Sequence, residues 1–212
     1  MRIWGNYRIT TFQIIALGFF GLILIGTLLL MLPVSSRQIG GAGFGDCLFT
    51  ATSAVCVTGL VVRDTALFWS PFGQAVILLL IQIGGMGVVT AAVSLAFVSG
   101  RKIGLMQRSL LQESISAPQV GGIVRLTRFI IVTTFGIELL GAALLFPVFI
   151  PEFGLGRGIW YAFFHSVSAF CNAGFDLMGI QGEFSSMTES TSICLTNPKS
   201  YAFTGLRLYT RL

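Results

Sequence analysis

Two stretches hold residues whose types and spacing could do chemistry: FTATSAVCVTGL at residues 49–60 and FHSVSAFCNAGF at residues 164–175. Each carries the phrase Ser-Ala-x-Cys-x-x-Gly, and the closing glycines, Gly59 and Gly174, stand 115 positions apart. What such phrases offer is backbone. Glycine opens angles closed to other residues, so successive carbonyls in VCVTGL and FCNAGF can turn toward one axis. Carbonyls aimed inward replace the water shell of a desolvating cation. The dozen residues before each loop, GFGDCLFTATSAV and GIWYAFFHSVSAF, read as short helices whose carboxyl ends bring partial negative charge to the loop. Asp46 suits the opposite pole of the first, while Asp64 and Asp176, just after the loops, would raise the local cation concentration. Close helix packing is the rival use of such small-residue loops.

Other reactive side chains are sparse. Glu138 sits inside an apolar run, where an acid costs roughly 2.5–3.5 kcal/mol, so it needs a wet cavity or a hydrogen-bonding neighbour. It reads either as a proton or cation ligand or as a structural bond to a neighbouring helix or pore loop. His165, the single histidine, reads as a hydrogen-bonded structural residue, or as half of a proton-coupling pair with Glu138. Cys47, Cys56, Cys171 and Cys194 have no C-x-x-C spacing and no clustered histidines, and read as small packers rather than metal ligands. IGGMG at residues 83–87 invites close packing, a local bend or a gating hinge. No motif pairs a nucleophile with a base, so no enzyme is expected.

The elements that must position these residues follow from composition. The chain has 212 residues, 54% apolar and only 10% charged, outside the range of soluble domains. Residues 10–32, the uncharged run 65–100 with a lead-in at FWSP (residues 68–71), and 129–150 are each long enough to hold a helix that crosses a bilayer. The first is too long in its apolar core for a signal peptide and lacks an A-x-A-like cleavage site. Arg2, Arg8, Arg101, Lys102, Arg108, Arg125 and Arg128 flank one side of the spans with only Glu113. By the positive-inside rule that side, and the N-terminus, is cytoplasmic. Arg37, Arg63 and Arg157 lie on the other side with Asp46, Asp64, Glu152 and Asp176. The net charge of +5 thus sets topology and implies no nucleic acid.

The expected architecture is an all-α membrane protein in which a unit is written twice: outer helix, re-entrant pore helix with extended loop, inner helix. Gly26 and Gly141 keep the 115-residue offset, and Pro33 and Pro147 are expected to close the two outgoing helices. The divisions are 1–100 for the first unit, 101–128 for a cytoplasmic connector with a short amphipathic helix at 105–115, and 129–177 for the second outer helix and pore loop. Residues 178–212 form an atypical polar tail in place of a second inner helix.

LFTATSAVCVTGL, IQIGGMGV and FFHSVSAFCNAGFDL, in that order over residues 8–177, resemble the Trk/Ktr/HKT superfamily of potassium uptake proteins, most closely the Ktr-type membrane subunit. The resemblance implies a simplified potassium-channel fold in a bacterial plasma membrane, with four such units around one pore. Each gives a filter glycine and neighbouring carbonyls, here Val57, Thr58 and Gly59, then Asn172, Ala173 and Gly174. It implies potassium as the transported ion, no cofactor, a homodimer in the intact protein, and a cytosolic KtrA-like ring that binds nucleotides. Units three and four have no counterpart in this sequence, so a truncated or frame-shifted product that does not conduct by itself is expected. The alternatives are a symporter coupled to protons or sodium, and a non-conducting remnant or assembly fragment.

Overall fold

The computed structural model describes residues 11–38, 40–87, 90 and 123–180. The amphipathic segment at 105–115, most of the basic connector and the tail after 180 lie outside the described residues. The elements bounded among the described residues are, in order, α1 (Thr11–Met31), α2 (Phe44–Val55), α3 (Thr65–Phe68), α4 (Pro71–Met86) and α5 (Ile123–Phe170), then a 3-10 turn at Met178–Ile180. Among the described residues the only extended pairing is an isolated bridge between Ser36 and Trp69.

Among the described residues, two helical segments, Gln13–Met31 and Thr127–Phe170, are long and apolar enough to cross a membrane, and Pro71–Met86 is a shorter apolar helix. Leu17, Phe20 and Leu28 on α1 and Phe129, Val132 and Leu140 on α5 are exposed. The buried side instead gathers Leu30, Trp69, Ile77, Ile81, Phe149, Phe164, Phe175 and Leu177. An apolar core wrapped in outward-facing apolar side chains is what a helix bundle in lipid requires.

The helix ends correct several sequence expectations. Within the uncharged run that starts at residue 65, the lead-in at residues 68–71 separates two helices. Asp64 caps the one-turn α3, and Ser70 restarts the chain as the N-cap of α4, accepting from the Gly73 amide at 3.2 Å ahead of Pro71 in the first turn. The helix then stops at Gly87, whose φ of 82° is open to glycine and strained for other residues. The second outgoing helix begins at Ile123, before residue 129, so Arg125 and Arg128 are already helical.

Pro147 does not close that helix. Pro147 and Pro151 both lie within α5, and the helical path breaks only at Gly154 (φ 78°). Proline removes one amide from the ladder but keeps a helical φ, and neighbouring helices let membrane helices tolerate it; a positive φ cannot be absorbed in the same way. At this elbow a Cβ on Gly158 would meet the Ile150 Cα at 2.7 Å, so the returning helix packs directly on the backbone it has just left. In the first unit the same reversal takes the loop between α1 and α2. That loop is pinned by Arg37 N–H donating to the Phe68 carbonyl and Ser70 N–H to the Ser35 carbonyl, both at 2.9 Å.

Candidate functional site

α2 and the last part of α5 end in the same way. The Thr58 amide donates to the Ser53 carbonyl at 3.0 Å, and the Ala173 amide to the Ser168 carbonyl at 2.7 Å. One residue earlier, Val57 donates to Ala54 at 3.3 Å and Asn172 to Ala169 at 3.0 Å. This pair of bonds is a Schellman cap, which needs a left-handed residue just past the helix. Val57 and Asn172 take that place, each with φ 56°. Asparagine tolerates it, but for a β-branched valine it is an outlier of order 1–3 kcal/mol. Two residues on, Gly59 and Gly174 again share one value, φ 73°.

The two loops touch. A Cβ on Gly59 would lie 2.5 Å from the Ala173 carbonyl oxygen and 3.2 Å from the Gly174 Cα. Main chain therefore meets main chain, with Ala173 buried in the join and Thr58, Asn172 and Gly174 exposed. All six residues expected to line the ion path thus fall in one small region. Each loop is also held by the serine of its phrase: Ser53 Oγ lies 2.9 Å from Thr58 Oγ1, and Ser168 Oγ donates to the Phe175 carbonyl at 2.6 Å.

The two carboxylates after the loops are placed differently from each other. Asp64 is 8% exposed, and its Oδ1 accepts from the Ala66 and Leu67 amides at 2.9 Å. Asp176 is half-buried and accepts from the Met178 amide at 3.1 Å. Asp46, in the first turn of α2, pairs with Arg63 at 2.8 Å, and the Arg63 guanidinium lies 5.3 Å from the Phe68 ring centre.

His165 is buried, and both ring nitrogens are engaged. The Leu177 amide donates to Nε2 at 3.2 Å, so Nδ1 carries the proton and donates to the Tyr161 carbonyl at 2.7 Å. Phe149 stacks on the ring at 5.1 Å between centres. Glu138 is buried as well, its Oε1 accepting from Gln82 Nε2 at 2.8 Å.

Two of the three IGGMG glycines are close-approach sites. A Cβ on Gly84 would collide with the Val55 carbonyl oxygen, and one on Gly85 would lie 2.6 Å from Cys171 Sγ. α4 thereby rests against the end of both short helices. Two residues that sequence reading passed over complete this seam. Gln74 donates to the Trp69 carbonyl at 3.1 Å and accepts from Trp160 Nε1 at 2.9 Å; Gln82 holds Glu138. Two amides in an otherwise apolar helix were the available signal, because a membrane helix keeps a buried amide where it can bond across a seam.

The family description "Cation transport protein" (TrkH) matches residues 7–195. The chain belongs to the TrkH family. It is 46% identical over 172 residues to the potassium/sodium uptake protein NtpJ of Enterococcus hirae, covering 81% of this chain and 38% of that one. Identity to the Ktr system potassium uptake protein B is 45% over 170 residues in Bacillus subtilis and 39% over 165 in Vibrio alginolyticus. These cover 80% and 78% of this chain and 38% and 36% of those relatives. The chain thus spans a little over a third of the length of the relatives it matches. Membership bears out the resemblance to potassium uptake proteins and places the chain in a transporter family rather than an enzyme family; the helical, strand-free fold of the described residues fits an all-α membrane protein.

Proposed function

We propose that residues 55–60 and 170–175 are two of the loops lining a monovalent-cation path across the plasma membrane, with potassium as cargo. Val57, Thr58 and Gly59, and Asn172, Ala173 and Gly174, supply the backbone carbonyls. The observation that carries this reading is the repeated cap with its costly left-handed Val57, joined to the backbone contact between Gly59 and Ala173. Strain of that kind persists where surrounding structure enforces it, and ligand sites are where it gathers. The names of the relatives, potassium uptake and potassium/sodium uptake, support the cargo. With Asp64 spent as a helix cap, Asp176 is the better placed of the two to concentrate cations at the mouth.

Residues 1–100 act as one helix, pore loop and helix unit, 101–128 as a cytoplasmic connector, and 129–177 as the start of a second unit. Two loops enclose only part of an axis. The remaining carbonyls come from further loops of the same kind, in a longer chain or a second copy, and the outward apolar faces of α1 and α5 meet lipid. The word "system" in the names of two relatives supports a separate regulatory subunit, here a cytosolic nucleotide-binding ring on a homodimer. Nucleotide-dependent co-purification of such a ring is the check on that assembly.

The deciding experiment uses a chimaera in which residues 8–177 replace the matching segment of a full-length relative. Gly59→Ser and Gly174→Ser are expected to weaken discrimination between potassium and sodium in uptake assays. An unchanged ratio in both removes the filter assignment. For orientation, a cysteine at Gln38 in a cysteine-free background should react with an impermeant thiol reagent added outside, and one at Ser109 should not; the reverse pattern overturns an N-terminus inside.

A further inference from the structure

α4 belongs to the first unit, yet its polar side chains reach into the second. Gln74 is buried and bonds Trp160, while Gln82, eight residues and roughly 12 Å further along the helix axis, bonds Glu138. The second clasp sits beside the loops. Gly84 and Gly85, the next turn of α4, lie against Val55 and Cys171, the residues that lead into the two loops. Glu138 is tied a second way, because its backbone carbonyl accepts from Ser166 Oγ at 2.6 Å, and Gly141 leaves the room that this hydroxyl occupies. The second outer helix, the second pore helix and the first inner helix therefore cross at one residue. Its other carboxyl oxygen, Oε2, is buried with no hydrogen-bond partner among the described residues.

We propose that Glu138 is a positioning residue: by accepting from Gln82 it holds α4 against the second unit and so sets the spacing between the Gly59 and Gly174 loops. This rests on the proposed filter. What Glu138 contributes is an acceptor for the Gln82 amide, not a charge for the ion. A glutamine at 138 keeps that acceptor, and its amino group takes the place of the oxygen that bonds nothing. A leucine at 138 or at 82 removes the clasp and strands the partner in an apolar seam.

The test measures the ratio of potassium to sodium uptake in the chimaera, a ratio taken within each variant and so independent of how much protein accumulates. Glu138→Gln is expected to keep the parental ratio, and Glu138→Leu and Gln82→Leu each to lower it roughly three- to tenfold. The two leucines together are expected to cost little more than either alone, since one bond is lost in all three. Should a leucine variant fail to reach the membrane, the exchanged pair Gln82→Glu with Glu138→Gln decides the matter, with a parental ratio expected. Glu138→Gln behaving like Glu138→Leu, a flat response to both leucines, or an exchanged pair that loses selectivity overturns the proposal. Gly59→Ser and Gly174→Ser are run in parallel. If either shifts the ratio while the leucines do not, only the role of Glu138 falls; if neither shifts the ratio, the filter reading falls.

Discussion

Leu60, at the end of the first loop, is 60% exposed, whereas its counterpart Phe175 is 2% exposed, and Thr58 lies open where Ala173 is covered. The backbones of the two loops nonetheless agree in their cap hydrogen bonds and in φ at both left-handed positions, Val57 with Asn172 and Gly59 with Gly174. Conformation is therefore set locally by how each short helix ends, and burial is set by what lies beside the loop. The second loop is pressed against Gly59 of the first and followed by a turn that lies against Asp64. No equivalent neighbour covers Thr58 and Leu60 among the described residues. An exposed edge of the same design as a covered one is the surface on which another such loop would fit.

Single substitutions can break that comparison. The largest effect is expected at Gly59. Any side chain there meets the left-handed penalty of ~1–2 kcal/mol, and its Cβ would also strike the Ala173 carbonyl, which cannot move without its loop. At Gly174 the same φ applies, but the nearest atom to a new Cβ is the Gly59 Cα at an ordinary 3.5 Å. Gly59→Ala should therefore reduce both thermal stability in detergent and ion selectivity of the chimaera well beyond Gly174→Ala. Equal losses would show that Gly174 too is met by a neighbouring backbone, which sharpens the case for a further loop.

Next in size is His165. Its counterpart in the first copy is Thr50, and only the second copy uses a ring to hold the chain leaving the loop. His165→Ala leaves the Leu177 amide buried and unpaired, a loss of about 1–3 kcal/mol, and removes the stack on Phe149. Melting of the chimaera should show that loss, with Thr50→Ala costing less. A His165→Ala variant as stable as its parent would mean that the Leu177 bond carries no weight.

The smallest effect tests strain directly. Exchanging the left-handed residues, Val57→Asn in one variant and Asn172→Val in another, should move stability in opposite directions by ~1 kcal/mol each. Both substitutions destabilising equally would show that side-chain packing, not backbone strain, governs these positions.

Much of this was legible beforehand. The 115-residue repeat, the short helix before each loop and the glycine at its end are local patterns. A twelve-residue α2 between turn-forming glycines and the Cys56–Gly59 loop left little alternative. Helix bounds were read less well. Pro147 is a breaker by its missing amide, yet in a membrane bundle the helix passes through it and ends at Gly154 instead. Asp64 reads as a mouth carboxylate from its place in the chain, and only the fold shows its Oδ1 accepting from two amides of α3.

What the sequence by itself determined is the class of the molecule: apolar spans, a charge bias across them, and a repeated phrase that puts glycine where the backbone must turn. These are properties of composition and of neighbours a few residues apart, and a hydrogen-bonded cap such as that of Thr58 on Ser53 closes within six residues. The tertiary structure alone decided which elements meet. Gly59 faces Ala173 across 114 residues, Gln82 faces Glu138 across 56, and Gly85 faces Cys171. No periodicity encodes those distances, because they follow from how three helices pack at once, and a buried amide or carboxyl declares its partner only when the seam around it has closed.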